Sequence, residues 1–351
     1  MKRVLFTIVF CLSVLSDRLV RASEYAADWL YLGAGARAAG MGWCGLTGSG
    51  EAESCYWNPA VDYSRGGPAL MGEQASLFQG LETYNALFQK LPVGRLTGLS
   101  AGFIRNSVDD IPLYGELQGN LDPTNPEDRY TDTPEGWGRN VGLAYFLNAA
   151  HSHEFVVIMG QGLVPSYLPA SFTWGLNLKY LSETFNLDYN TGSRRDVQST
   201  GLSTDLGLQL KVNGPTIAGK QSQKALVVGM VVRNFSGGYQ SWESTETVRE
   251  RLHRDLQFGA RWTAAFDGSI SGFSAALERF TYRQDLLHLG LEVEVKEHLA
   301  LRLGAYGNRF KDLETTLGAG LRVWRFQVDY AWLRHSHLGL TQRLSLTYRH
   351  R

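Results

Sequence analysis

The chain has no apolar run long enough to cross a membrane as a helix. Its longest apolar stretch, Val4 to Leu15, falls short of the roughly 18–20 residues a bilayer demands. Charge is also scarce: Asp, Glu, Lys and Arg make up 19% of the chain, against about 25% in an ordinary soluble domain. What charge there is balances to zero, which removes the basic excess that nucleic-acid binding needs. Only three cysteines are present, so neither a disulfide scaffold nor a Cys-rich metal site is available. No G-x-S-x-G elbow occurs, and no carboxylate pair stands apart from ordinary loop charge, so nothing here reads as an enzyme.

Glycine and aromatic residues fill the space left by charge. There are 39 glycines in 351 residues, about 11% where roughly 7% is usual, and aromatics account for 12%. This composition fits a β-barrel whose outer wall faces lipid. The first residues read as an export signal: Lys2 and Arg3 precede the short apolar run, and Val20-Arg21-Ala22 offers a cleavage point after Ala22. Residues 1–22 are therefore assigned to a signal peptide, 23–67 to an N-terminal plug and 68–351 to the barrel.

From Ala69 onward the sequence alternates with period two. Leu344, Leu346 and Tyr348 share one face of a strand, and Arg343, Ser345, Thr347 and Arg349 share the other. Phe326, Val328, Tyr330 and Trp332 alternate with Arg325, Gln327, Asp329 and Ala331, and Leu289, Leu291, Val293 and Val295 with Gly290, Glu292, Glu294 and Lys296. Segments of about ten residues with aromatics near their ends suit a tilted crossing of the hydrocarbon. Starts near 69, 82, 97, 137, 172, 202, 224, 254, 270, 286, 299, 314, 325 and 340 predict fourteen strands. An even number is what bacterial single-chain barrels require. The pattern places residues 106–136, 184–200 and 236–253 at one end as long outer loops, with short connections at the other. Residues 149–171 resist this scheme: they are apolar at Phe155 to Met159 yet fall where a short inner turn belongs, which leaves a helix, a partial strand pair and a segment dipping into lipid all open. The fold class is all-β, a fourteen-stranded antiparallel transmembrane barrel with a plug, or hatch, in its lumen.

The N-terminal stretch carries two motifs. Gly33-x-Gly35-x-x-Ala38 superficially matches a dinucleotide fingerprint, but no βαβ unit follows it, so close packing explains its small residues better. No cofactor is expected. His151-Ser152-His153 and His335-Ser336-His337 lack the further ligands a metal site needs. Cys44 and Cys55 either pair across the plug or remain buried thiols, and the sequence leaves both open. Inward positions carry Glu292, Glu294, Arg302, Arg322, Asp329 and Arg343. Mixed sign favours a cross-lumen network over an ion-selective pore, in which one sign would dominate.

Leu30 to Gly42, with Gly33, Gly35, Ala36, Arg37, Ala38, Gly40, Met41 and Gly42, is followed by Tyr56-Trp57-Asn58-Pro59-Ala60. This motif pair resembles the PorV/PorQ-like outer-membrane barrels, whose architecture is similar to that of FadL-type fatty-acid transporters. Uncharacterised spirochaete-type paralogues share the resemblance. It implies a cell outer-membrane location, insertion by the outer-membrane machinery, contact with membrane lipids and passive uptake of a hydrophobic small molecule such as a long-chain fatty acid. The resemblance also implies an alternative, a PorV-like partner of secreted proteins, and the Pro, Asp and Asn content of residues 106–136 carries a further one, a structural or adhesive surface barrel. Family barrels commonly end on an aromatic residue, whereas Arg349-His350-Arg351 follows Tyr348 here.

Overall fold

The computed structural model describes residues 26–48, 51–60, 67–114, 134–159, 166–217, 220–221, 223–243, 248–267, 269–281, 285–308, 312–336 and 338–350. The signal peptide, His337 and residues 115–133 of the long outer loop lie outside them. Seven strands form the first half of the wall: β1 (Ala69–Leu77), β2 (Glu82–Pro92), β3 (Thr97–Leu113), β4 (Gly136–Met159), β5 (Ser166–Tyr189), β6 (Arg194–Asn213) and β7 (Lys224–Arg233). The second half is β8 (Asp255–Ala265), β9 (Ile270–Phe280), β10 (Leu286–Val295), β11 (Leu299–Asn308), β12 (Glu314–Val323), β13 (Phe326–His335) and β14 (Gly339–Arg349). Each pairs antiparallel with the next, and β14 pairs with β1 from Ala69↔Arg349 to Ser76↔Gln342, which closes the barrel.

Closure leaves every strand with two unlike faces. On β13, Gln327, Asp329, Ala331 and Leu333 are buried while Phe326, Val328, Tyr330 and Trp332 are exposed. The exposed set is the lipid-facing belt, because leucine, valine and aromatics recur there on strand after strand. Aromatics at the ends of this belt, such as Trp174, Trp262, Trp332 and Tyr348, occupy the girdle positions expected at a membrane interface.

Strand parity holds at fourteen, but several stretches differ from expectation, the first being residues 106–113, which belong to β3 and pair as far as Leu113↔Gly136. Residues 149–159 and 166–171 form a strand pair: β4 continues to Met159 and β5 begins at Ser166, paired from Val156↔Pro169 to Met159↔Ser166. Since β3 starts at Thr97 opposite His151 and β6 ends at Asn213, this hairpin projects past its neighbours at the end bearing the short turns and both ends of the barrel chain. Its apolar run reflects strand pairing, which needs no polar loop. Residues 184–200 likewise form the outer ends of β5 and β6, paired as far as Asp188↔Arg194. Next to them a short hairpin, Tyr239–Trp242 with Val248–Arg251, adds to β6 at Gln240↔Gly201. One side of the outer rim is thus a raised sheet.

Candidate functional site

The N-terminal segment folds into a 3₁₀ turn (Asp28–Leu32), α1 (Ala36–Gly40) and α2 (Ser54–Trp57). None of these could stand alone in water, being far shorter than an isolated helix requires. The two sequence motifs hold each other instead. The Gly33 amide donates to Tyr56 Oη at 3.2 Å, and that hydroxyl donates to the Leu30 carbonyl. Trp57 Nε1 donates to the Ala34 carbonyl at 2.9 Å. A Cβ on Gly33 would meet the Trp43 ring at 2.3 Å, and one on Gly45 would meet the Trp57 ring at 2.3 Å. Gly33 and Gly35 also have φ of 80° and 86°, a region that disfavours any other residue. Glycine is required here by contact and by backbone geometry together.

The segment touches the inward face of the wall on many sides. A Cβ at Gly304 would lie 1.9 Å from the Gly42 nitrogen, and one at Gly175 would lie 2.1 Å from the Pro59 carbonyl oxygen. Gly40 meets Gly318 backbone to backbone. Missing side chains on the wall therefore match missing side chains on the segment. Polar wall residues then satisfy the segment's backbone. Glu278 accepts from the Leu46 and Thr47 amides at 3.0 and 2.9 Å, and Arg261 Nη2 donates to the Cys44 carbonyl at 2.6 Å. Asn148 and Asn177 donate to the carbonyls of Pro59 and Cys55 at 3.1 and 3.3 Å. Asn58 turns back within the segment, donating to the Leu46 carbonyl at 3.1 Å and accepting from the Ala60 amide at 2.9 Å.

Two ion-pair groups anchor this interface. In the first, Arg37 makes a bidentate contact with Glu292, at 2.9 Å from Nε and 2.6 Å from Nη2. Arg302 Nε also donates to Glu292 at 2.6 Å, and its Nη1 lies 2.7 Å from Asp329. Arg37 further pairs with Glu51, which receives Arg349 at 2.8 Å. A continuous chain of alternating charge thus runs from Arg349 through Glu51, Arg37, Glu292 and Arg302 to Asp329. In the second group, Arg343 pairs with Glu73 at 2.9 Å and donates to the Gly33 and Leu32 carbonyls at 3.1 and 2.7 Å. Glu73 also accepts from the Gly35 amide at 2.7 Å. Arg343 lies 4.7 Å from both the Trp43 and Tyr84 rings, so its guanidinium is held by charge, carbonyls and π-faces at once.

The segment's own carboxyls differ sharply. Burial pushes Glu51 upward, but Arg37 and Arg349 outweigh it and hold the group at about 2. Burial raises Glu53, the Glu51 charge adds to that, and the carboxyl is pushed up to about 8. Glu53 packs against Gly35, where a Cβ would come 2.8 Å from its Oε1. Cys44 and Cys55 are free and buried, so the pairing left open by the sequence is not made. The Cys44 thiol points at the Ala276 carbonyl on β9, while the Cys55 carbonyl is held by Asn177 on β5.

Of the six wall residues singled out from sequence, Glu292, Arg302 and Asp329 meet in one network and Arg343 belongs to the other. Glu294 and Arg322 make only a loose 3.9 Å contact at the inner margin. There a cavity of about 440 Å³ opens, lined by Lys224, Thr263, Phe273, Ser274, Glu292 and Glu294 among others. Sequence reasoning missed Glu73, Glu278, Arg261 and Arg233, although each occupies an inward position of its strand. Arg233 lies 4.8 Å from the Tyr56 ring, and its strand row Val227, Gly229, Val231, Arg233 marks it as inward. His151 and His153 point outward, their rings 4.7 Å apart beside Trp174. Among the described residues no group of three His, Cys, Asp or Glu side chains could hold a metal.

No family model and no curated protein matches the sequence. Solved structures do match in fold. The Pseudomonas putida toluene transporter TodX aligns with a TM-score of 0.52 at 11% identity, over 90% of this chain and 96% of that one. The chain shares its barrel fold. The Ralstonia pickettii toluene transporter TbuX aligns at 0.49 and 11% identity, over 91% and 99%. The closed fourteen-stranded antiparallel barrel expected from sequence is the one observed, and TodX shares that fold.

Proposed function

We propose that the protein is an outer-membrane barrel for passive uptake of hydrophobic molecules, with the N-terminal segment as the plug of its lumen. One observation carries this reading: a segment of small residues is gripped across the lumen by Arg37–Glu292 and Arg343–Glu73, beside an open cavity at the inner end. Charge-paired contacts of this kind are directional and can be exchanged among neighbours, which suits a plug that shifts without unfolding. Lys224, Thr263 and Ser274 around the inner cavity would take the head group of an amphipathic molecule. A long-chain fatty acid is the cargo implied by the resemblance to FadL-type barrels. That TodX and TbuX are described as toluene transporters supports a hydrophobic cargo in general.

A second reading rests on the projecting β4–β5 hairpin. Phe155, Val156, Ile158 and Tyr167 are all exposed on it, and beyond Ser152 β4 has no strand beside it on its β3 side among the described residues. An open apolar edge is the surface on which an extended peptide can add a strand. This feature favours a PorV-like role as a partner of secreted proteins. The two readings separate experimentally. Purification in detergent, mass spectrometry of co-purified lipids and labelled fatty-acid uptake in proteoliposomes test transport. Folded barrel with neither bound lipid nor uptake would leave the partner role, tested by whether secreted chains are retained on the protein and lost when the hairpin tip is shortened.

A further inference from the structure

Past the inner rim, β4 and β5 continue as a ribbon with no polar face. Arg95, in the turn between β2 and β3, is exposed and pairs with Glu154 at 2.5 Å, so that point of β4 stands in water. Beyond it come Phe155, Val156, Val157 and Ile158, set across from Ala170, Pro169, Leu168 and Tyr167. Phe155 and Val157 continue the lipid-facing row of β4, whereas Val156 and Ile158 continue its lumen-facing row. Val156 and Ile158 are 56% and 66% exposed, so among the described residues nothing covers that second face. A bilayer could shield the first face alone. Two-stranded ribbons are marginal in water, and one that is apolar on both sides needs a cover.

Hydrogen bonds show which edge of the ribbon is open. Ser152 donates its N–H to the Leu96 carbonyl of the β2–β3 turn at 2.7 Å. Backbone groups switch sides with each residue, so Glu154, Val156 and Ile158 turn theirs the same way, on the side where β3 is absent. Pro169 fixes the same phase independently. It lies opposite Val156, has no N–H to offer, and its carbonyl accepts from Asn213 Nδ2 of β6 at 3.3 Å. The backbone groups of Val156 therefore face away from β5. Residues 154–158 thus display three N–H and three C=O groups that no described strand meets.

Resting on the partner role described above, we propose that this edge takes an extended peptide as an added antiparallel strand, and that the bound segment is apolar at successive positions. Charge complementarity selects the occupant. Alternating donors and acceptors along an edge are matched at their spacing only by another extended backbone, and an acyl chain matches none of them. A second copy fits less well, because equally oriented barrels present β4 running the same way and could pair only in parallel, the weaker arrangement. Side chains of the added strand alternate between the two faces, and both faces offer apolar neighbours. A segment apolar at every position covers both, whereas an alternating one covers a single face.

Fluorescence anisotropy on the purified barrel tests this with two labelled probes. One carries successive valine, phenylalanine and isoleucine residues flanked by lysines, and the other has serine at every second position of the same run. The first is expected to bind, and the second about tenfold more weakly. Val156→Pro removes one edge N–H without touching the pairing with β5, and should weaken the first probe about tenfold. Val156→Thr keeps that N–H and should change binding by less than about twofold. Heat-modifiable migration shows that each barrel is folded. Binding indifferent to Val156→Pro would overturn strand addition and leave the partner role standing. A folded barrel that retains neither probe nor any secreted chain would overturn both. Equal binding of the two probes would overturn the apolar class of segment. A disulfide-linked dimer of twice the chain mass from Ile158→Cys would show a second copy on the edge and overturn the peptide.

Discussion

The two faces of a single wall obey opposite rules. Arg302 and Leu303 are consecutive on β11, yet Arg302 is buried between Glu292 and Asp329 while Leu303 is half exposed to lipid. Inside, the lumen is crowded with charge, and Glu292, Arg302, Asp329, Glu73 and Arg343 are each tied to an opposite partner. Outside, the same strands carry almost no charge because nothing there could pair with it. A half-buried strand in a soluble protein would show polar residues toward water and apolar ones toward the core. Here the polar face is the buried one. The N-terminal segment makes that inversion possible, since it brings acceptors and donors to wall positions that would otherwise line an empty lumen.

Removing charge inside should cost more than adding it outside. Glu292→Ala strands Arg37 and Arg302 without their shared carboxylate, and we expect a loss of about 3–5 kcal/mol, read as a lowered urea midpoint of the barrel in lipid. A loss within a few tenths would mean the interior pairs are dispensable and the contrast false. Leu303→Arg places an unpaired charge in the belt and should cost about 2–4 kcal/mol by the same measurement. If it is tolerated without change, that wall does not face hydrocarbon. Gly304→Leu inserts a side chain where the Gly42 backbone lies and should cost about 1–3 kcal/mol. Its signature is selective: protease should cut residues near the segment while the barrel keeps heat-modifiable migration, showing that contact inside is steric as well as electrostatic.

The most local effect is with pH. Glu53, held near 8 in the folded chain against an ordinary 4.5, binds its proton more tightly folded than unfolded. Its contribution is fully present below the ordinary value and declines as pH rises from about 4.5 to 8, at no more than about 1.4 kcal/mol per pH unit. Glu51, held near 2, acts in the opposite sense and loses its contribution only as pH falls from 4.5 toward 2. Protease access to the segment should therefore increase from pH 6 to pH 9, and Glu53→Gln should flatten that rise. A segment equally protected at both pH values in the unaltered protein would show that Glu53 is already solvated.

Much of the wall was legible from residue order, because period-two alternation is a local property and survives without knowledge of partners. The starts of β1, β2, β3, β7, β9, β10, β11 and β12 follow directly from the switch between turn residues and alternating rows. The extents of β4, β5 and β6 did not, because their extra length is decided by pairing with one another and not by any turn residue in the sequence. Glu292, Arg302, Asp329 and Arg343 could be named as polar residues facing inward, and Arg37 as a member of the N-terminal motif. Which carboxylate receives which guanidinium depends on how fourteen strands are staggered around the closed wall, so Arg343 with Glu73, 270 positions apart, was beyond reach.

By itself, then, the sequence determined the class of the molecule: all-β, alternating, with a small-residue segment ahead of the strands and an unusual density of glycine. Those are consequences of side-chain period and size, which each stretch of chain expresses on its own. Tertiary structure alone decided that wall glycines and segment glycines meet face to face, and that two cysteines only eleven positions apart stay unpaired. Each of these is a coincidence in space between residues distant in the chain or on adjacent strands, and only closure of the barrel brings it about.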